Sequence, residues 1–324
     1  MLSRIADSVY WMSRHLERAG DTARLIEINL LYLLEAEDAL PVSAQWKPLL
    51  SITASDEAYA QCYEGAPISA HKVIQFMTQE RKNPNAIRTS LRVARENARV
   101  VRDRISKEMW EALNELWLQV DRQLATPLVP ERAAVVYAAV RNGVARFHGL
   151  TANTMMRGEG WGFYLLGTLL ERADMTARIL DVKYHLLLPD MSLVGSALDY
   201  YQWAALLKSL SGFEAYRRKY HAGLRPIDVA EFLIFEPNFP RALRFCVERM
   251  RDALRTIAAG ELSGATEAAI RKLEACLENR TAEQVFRDGL HEYLEDFLEQ
   301  ISQLHAVLAA EYFDAQLTDR QCAT

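Results

Sequence analysis

One charged stretch is written twice in this chain. Tyr10-Trp-Met-Ser-Arg-His-Leu-Glu-Arg-Ala-Gly-Asp-Thr-Ala-Arg24 returns 154 residues later as Tyr164-Leu-Leu-Gly-Thr-Leu-Leu-Glu-Arg-Ala-Asp-Met-Thr-Ala-Arg178. A duplicated segment constrains architecture before any other feature does, because each copy must bury the same face against its surroundings. The repeat extends further. Trp46, Leu49, Leu50, Glu57-Ala-Tyr59 and Tyr63 correspond at one offset to Trp203, Leu206, Leu207, Glu214-Ala-Tyr216 and Tyr220. With small changes of offset, Pro84-Asn85 pairs with Pro237-Asn238, and Leu91-Arg92, Glu96 and Arg99 pair with Leu243-Arg244, Glu248 and Arg251. Residues 1–155 and 158–324 therefore read as two divergent copies. Such copies usually pack about a pseudo-twofold axis, with sites where they meet. The expectation is one domain over residues 1–324, a large helical bundle of two pseudo-symmetric internal repeats.

The periodicity supports an all-α chain. Apolar residues recur at steps of three and four, and no run alternates with period two between turn dipeptides. Breaks fall at residues 39–43, 65–67, 83–85, 126–130, 158–160, 189–195, 223–226, 237–240 and 260–264, where Pro, Gly and Asn cluster. They imply ten or more helices.

Helical spacing places Tyr10, Arg14, Glu17, Asp21 and Arg24 on one stripe, with Met12, Leu16, Ala19, Ala23, Ile26 and Leu30 as the core face. Trp11, Leu25, Ile28 and Leu31 surround the charges too, and the second copy is equally apolar around Glu171, Arg172 and Arg178. A helix apolar on most sides is buried, and its charges must be paired or hold a ligand. Taken singly, each charge reads as part of a structural ion-pair network. An excess points further. Arg88, Arg92, Arg95, Arg99 and Arg102 share one helix face with only Glu96 nearby, so the stripe is expected to face either the carboxylates of the opening helices or an outside anion. The second copy is milder, with Arg241, Arg244, Arg251 and Arg255 around Glu248; Arg88 and Arg255 read as solvated. Arginine suits such a centre because its planar fork grips carboxylate or phosphate with two hydrogen bonds and stays charged when desolvated. The turn Met156-Arg-Gly-Glu-Gly-Trp161 adds Arg157 and Glu159 beside the second charged helix. Candidate anion- or partner-binding residues are thus Arg18, Arg24, Arg92, Arg95, Arg99, Arg157, Glu159, Arg172, Arg178, Arg244, Glu248 and Arg251, with Glu17 and Glu171 as candidate acid or base groups.

Other chemistries lose ground. No Glu-x-x-His pair stands on any helix, so the di-iron bundle lacks its signature. Phosphate-loop and nucleophile-elbow patterns are missing as well. Asp288, His291, Glu295 and Glu299 read as a solvated stripe. His15, His71, His148, His185, His221 and His305 are singletons, read as packed or surface groups. No metal and no cofactor is expected. A net charge of −5 gives no pull toward nucleic acid, and no apolar stretch reaches membrane-spanning length. Scattered Cys62, Cys246, Cys276 and Cys322 read as reduced thiols, and the start of the chain carries no apolar leader. Together these place the chain in the cytoplasm.

Tyr10-Trp-Met-Ser-Arg14 with Leu16-Glu-Arg-Ala19 and Thr22-Ala-Arg24, Ala94-Arg-Glu-Asn-Ala-Arg99 with Glu108-Met-Trp-Glu111, Arg157-Gly-Glu-Gly-Trp161 and Leu170-Glu-Arg-Ala-Asp-Met-Thr-Ala-Arg178 together resemble the alpha-E family. The likeness covers essentially the whole chain. The family is named for its helical content and Glu-Arg motif, which falls here on Glu17-Arg18 and Glu171-Arg172. The resemblance implies a bacterial peptide-ligation or peptide-modification system whose partners are an ATP-grasp amide ligase, a transglutaminase-like peptidase and sometimes a proteasome-like peptidase. It supplies no reaction. Three functional expectations follow: an auxiliary component with an arginine-lined anion-holding centre, an enzyme using Glu17 or Glu171 as general acid or base, or a scaffold with buried ion pairs. Position 168 is Thr where the first copy has Arg14, so the two half-sites are not expected to be equivalent.

Overall fold

The computed structural model describes residues 1–35, 41–186, 197–221 and 223–313. These form fifteen α-helices and no strand. In order they are α1 Ser3–Glu35, α2 Val42–Ile52, α3 Asp56–Tyr63, α4 Ala70–Thr78, α5 Ile87–Val100, α6 Lys107–Gln123, α7 Pro130–Thr154, α8 Glu159–Leu186, α9 Ala197–Ser209, α10 Phe213–Lys219, α11 Pro226–Phe235, α12 Leu243–Ala258, α13 Gly264–Leu277, α14 Ala282–Asp288 and α15 Leu290–Leu308, followed by a π-helical turn, Ala309–Phe313. The chain is all-α, as its periodicity indicates. The breaks at residues 39–40 and 189–195 lie outside the described residues, as does Cys322.

Local sequence explains where several helices begin. Ser106 and Ser263 cap α6 and α13, each hydroxyl accepting from the backbone N–H three residues on. Pro130 and Pro226 occupy the first turn of α7 and α11, where the missing N–H has no partner to lose.

The two charged helices are the innermost elements. α1 packs on α5, α7 and α8, while α8 packs on α1, α12 and α15. The helices that follow them cross over: α2 lies against α8 and α9 against α1. One contiguous apolar cluster runs through all of these, with Trp46 of α2 and Trp203 of α9 among its largest buried members. Met12, Leu16, Ala19, Ala23 and Ile26 are fully buried and Leu30 is half-buried, so the core face read from the sequence stands except at Leu30.

The α1–α8 crossing is close because Gly167 sits at it. A Cβ at this position would overlap the Ser13 hydroxyl and the Tyr10 carbonyl oxygen. Gly167→Ala must therefore push the two helices apart, and overpacking of this kind costs about 1–3 kcal/mol. Thermal unfolding of the variant checks this; an unchanged midpoint would mean the crossing is looser than described.

One pairing read from the sequence shifts. α5 and α12 begin at Ile87 and Leu243, and both are preceded by an alanine whose N–H is donated three residues back, to Asn83 and Phe239. By helix start the two elements are 156 residues apart, whereas matching Leu91 to Leu243 gives 152, one helical turn away. Two prolines in the second loop, Pro237 and Pro240, leave the sequence pairing ambiguous. The structure sets Pro240-Arg241 beside α12 as Pro84-Asn85 stands beside α5.

Candidate functional site: a crossed Glu-Arg seam

The charged faces of α1 and α8 meet along the crossing, and each glutamate takes the arginine of the other stretch. Arg18 Nε lies 2.5 Å from Glu171 Oε1 and Arg18 Nη2 donates to Glu171 Oε2 at 3.0 Å. Reciprocally, Arg172 Nε donates to Glu17 Oε1 at 2.7 Å. Both carboxylates are buried, Glu17 at 1% and Glu171 at 2% exposure. Such charges persist only with counter-charges and hydrogen bonds in place, and each glutamate has a second guanidinium.

For Glu171 the second partner is Arg14, whose Nε donates to Oε2 at 3.0 Å and whose Nη1 donates to the Tyr10 hydroxyl at 3.1 Å. The Arg14 guanidinium also lies over the rings of Tyr10 and Trp11. Position 168 cannot do the same for Glu17, because Thr168 only returns its hydroxyl to the Tyr164 carbonyl. Arg241, from the turn before α12, fills the place. Its Nη2 donates to Glu17 Oε1 at 2.8 Å and its Nη1 stands 2.7 Å from Asp21 Oδ1. Arg24 holds the same Asp21 oxygen at 3.1 Å. Each buried glutamate thus meets two arginines, Glu171 both of them from α1 and Glu17 one from α8 and one from the turn before α12.

Two histidines complete the seam. His148 Nε2 of α7 lies 2.7 Å from Glu17 Oε2, and its Nδ1 meets the Tyr164 hydroxyl. On the other side the Tyr10 hydroxyl meets His305 Nδ1 at 2.9 Å, and the two rings are stacked. Burial would raise the Glu171 carboxyl, but Arg18 and Arg14 outweigh it and hold it at about 2. Burial likewise opposes ionisation of Glu17, and Arg172, Arg241 and His148 overcome it, holding Glu17 well below the usual carboxylate range. Asp21 behaves differently: burial and the Glu17 charge push it up despite Arg241. Burial and the neighbouring Arg18 lower His15 to about 4, and burial with Arg14 does the same to His305.

The Glu171 side opens into a polar cleft of about 210 Å3, lined among others by Arg14, Arg18, Thr22, Asn85, Asp174 and Arg178. Arg178 pairs with Asp174 at 2.8 Å, and Arg18 reaches Asn85 Oδ1 at 3.0 Å. Across the seam, six guanidinium groups, of Arg14, Arg18, Arg24, Arg172, Arg178 and Arg241, face four carboxyl groups, of Glu17, Asp21, Asp174 and Glu171.

A model of the Alpha-E family, described as "a predicted alpha-helical domain with a conserved ER motif", matches residues 1–313. The chain belongs to the Alpha-E family. Two of its Glu-Arg dipeptides, Glu17-Arg18 and Glu171-Arg172, are the groups that cross-pair. Uncharacterized proteins of Mycobacterium bovis and Mycobacterium tuberculosis are similar to this Alpha-E chain, at 22% identity over 312 residues. The match covers 91% of this chain and 35% of those relatives, so it spans about a third of their length. No solved structure matches.

The remaining candidates lie elsewhere. Arg95 donates to Asn114 of α6 and to Glu96, and Arg99 pairs with Glu96. The α5 stripe thus faces α6 and solvent, not the carboxylates of the opening helices. Its periodicity was compatible with either direction, and the Ile87, Ser90, Leu91, Ala94 and Ala98 face takes the core side. Arg88, expected in solvent, is tied to Asp121 at 2.6 Å. Arg92 is exposed. Arg244 donates to the Leu277 carbonyl, Arg251 to Glu267 and Glu274, and Glu248 is exposed. Arg157 covers the Trp161 ring, and Glu159 meets the Met1 nitrogen at 2.8 Å. The acidic stripe of α15 is partly engaged: His291 reaches Asp181 of α8 at 2.7 Å.

Among the described residues no group of His, Cys, Asp and Glu stands where it could hold a metal ion. Burial pushes the Cys246 thiol up to about 12, which removes it as a nucleophile at neutral pH. No described helix is long and apolar enough to cross a membrane.

Proposed function

We propose that this Alpha-E chain is an auxiliary, substrate- or partner-holding component of a cytoplasmic peptide-ligation or peptide-modification system, working with an ATP-grasp amide ligase and a transglutaminase-like peptidase. In this reading the chain is one domain of two pseudo-symmetric repeats, and the crossed Glu-Arg seam is its anion-holding centre. The observation that carries the proposal is the surplus of guanidinium groups beside a polar cleft. Arg14 and Arg18 share one carboxylate, Glu171, and both line the cleft together with Arg178 and Asn85. A carboxylate entering there would meet Arg14 and Arg18, two guanidinium groups that share the single carboxylate of Glu171, and a bidentate contact to such a fork is strong. The pseudo-symmetry draws support from the reciprocal Glu17–Arg172 and Glu171–Arg18 pairs and from the two Tyr–His contacts.

The enzyme reading fits the geometry less well. A general acid or base works best with a pKa near the working pH, and both glutamates are held far below it, locked between arginines. The scaffold reading has a specific observation in its favour, since every buried carboxylate of the seam is ion-paired.

Titration with a short peptide bearing a free C-terminal carboxylate, against the same peptide as its amide, separates holding from scaffolding. Carboxylate-dependent binding is expected, weakened about tenfold, or 1.4 kcal/mol, by Arg178→Gln in the cleft. The ligase arm mixes the chain with its neighbouring ATP-grasp enzyme and follows ligation rate and product. Absence of binding in the first and of any effect in the second would leave the seam a strut.

A further inference from the structure

The arginine stripe of α5, set aside by the seam, has its own partner surface. α6 turns Trp110 and Trp117, two helical turns apart, toward it. Arg95 and Arg102 lie over the Trp110 ring, 5.7 and 5.3 Å from its centre. One step along, Arg81, Arg88, Arg92, Thr89, Trp117 and Asp121 line a groove of about 420 Å3. Asp121 answers Arg88 and Glu96 answers Arg95 and Arg99, but Arg81 and Arg92 meet no carboxylate among the described residues. Like charges one turn apart repel unless something acidic covers them.

The second half shows what a closed version of this face looks like. Glu267 and Glu274 of α13 follow Trp110 and Trp117 by 157 residues, the spacing that also separates the two N-cap serines, Ser106 and Ser263. There Arg251 of α12 is taken by both glutamates, with Nη1 2.9 Å from Glu267 Oε2 and Nη2 2.6 Å from Glu274 Oε2. Where α13 neutralises its arginine with two glutamates, α6 offers two indoles, Asn114 and a single carboxylate, Asp121, which is taken by Arg88.

We infer that the α5–α6 face is a docking surface for an acidic segment of a partner protein. Exposed arginine beside half-buried tryptophan is the composition that dominates protein–protein binding energy. The stripe from Arg88 to Arg99 runs about 17 Å at helical rise, and Arg102 in the turn after α5 continues it, a length that suits a peptide segment and exceeds what one small ligand needs. The chain's own charge of −5 makes this face a local exception, so carboxylates of a partner are steered to it and repelled elsewhere. This inference is independent of the carboxylate cleft, since none of its residues lines that cleft.

The test uses the full chain and a fluorescein-labelled peptide of glutamate interspersed with phenylalanine, followed by fluorescence anisotropy at rising salt. Binding that weakens with salt is expected, with a loss of about tenfold or more in Arg92→Glu/Arg99→Glu and in Trp117→Ala. Arg255→Glu, on the exposed face of α12, leaves it unchanged. Arg92 and Arg99 are exposed, so the double variant keeps its fold, and circular dichroism verifies that. Lack of salt-sensitive binding, indifference to Arg92→Glu/Arg99→Glu, or tighter binding of an oligothymidylate of equal charge overturns the inference.

Discussion

Glu17→Gln is expected to destabilise the protein by about 3–5 kcal/mol, the usual cost of removing one member of a buried ion pair. The side chain is 2% exposed, and glutamine keeps its volume, so the loss is electrostatic. It leaves Arg172 and Arg241 without the carboxylate that holds them 2.7 and 2.8 Å away. A loss of this size is a large share of a domain's total stability. Urea midpoints at pH 7 measure it. Because the pairs are crossed, the partner is diagnostic: Glu17→Gln combined with Arg172→Gln should cost less than the sum of the two singles, whereas Glu17→Gln with Arg18→Gln should show weaker coupling. A loss below about 1 kcal/mol, the range of exposed salt bridges, would mean that water reaches the seam.

The helical class and the central place of the repeated helices were legible because both follow from periodicity and self-similarity. Glu17, Glu171, Arg18 and Arg172 were found as charges inside apolar surroundings, which is a signal that one sequence carries. Their crossed pairing was not legible. An ion pair is specified by the relative placement of two helices, and a stripe of charges is equally compatible with partners on its own half. Arg241 was read only as part of the arginine face around Glu248 because the repeat was matched through Pro237. Matched through Pro240, the same residues would have brought Arg241 to the position of Asn85, which holds Arg18. The histidines offered a similar signal. His148 and His305 are 157 residues apart, the offset that relates Trp46 to Trp203, so they were singletons only while the repeat was read through its arginines.

The α5 stripe was a different kind of miss. Its positive excess is real, but helix phase alone cannot say whether an arginine-rich face meets the core seam or solvent. Packing settles it through size. Ser90, Ala94 and Ala98 form a narrow face that lets α5 approach α1 closely, and the long arginines are left to the α6 side. Small residues at a crossing do the same work at Gly167, where α1 and α8 touch. The charged seam is thus a consequence of close helix approach: the helices meet at small side chains, and the glutamates and arginines on either side of that contact are brought within reach of each other.

Acidification is expected to lower the protein's stability over two pH ranges, the upper set by His15 and His305 and the lower by Glu171. His15 and His305 are lowered from 6.5 to about 4 in the folded chain, so between these values the unfolded chain binds more protons. Their contribution is complete above pH 6.5 and is lost as pH falls through 4. Glu171 is lowered from 4.5 to about 2; its contribution of about 3 kcal/mol is complete above pH 4.5 and disappears as pH falls through 2. The sign is the same for both stages, because every one of these groups is proton-poor when folded: the imidazoles are kept neutral by burial beside arginine, and the carboxylate is kept ionised by Arg18 and Arg14. Urea midpoints taken from pH 7.5 to 3 should therefore fall from about pH 6.5 downward and steepen below 4.5. His15→Gln with His305→Gln should flatten the upper stage and leave the lower one. Stability constant from pH 7 to 4 in the parent chain would show that the imidazoles are hydrated, and would remove the dry seam on which the ion-pair argument rests.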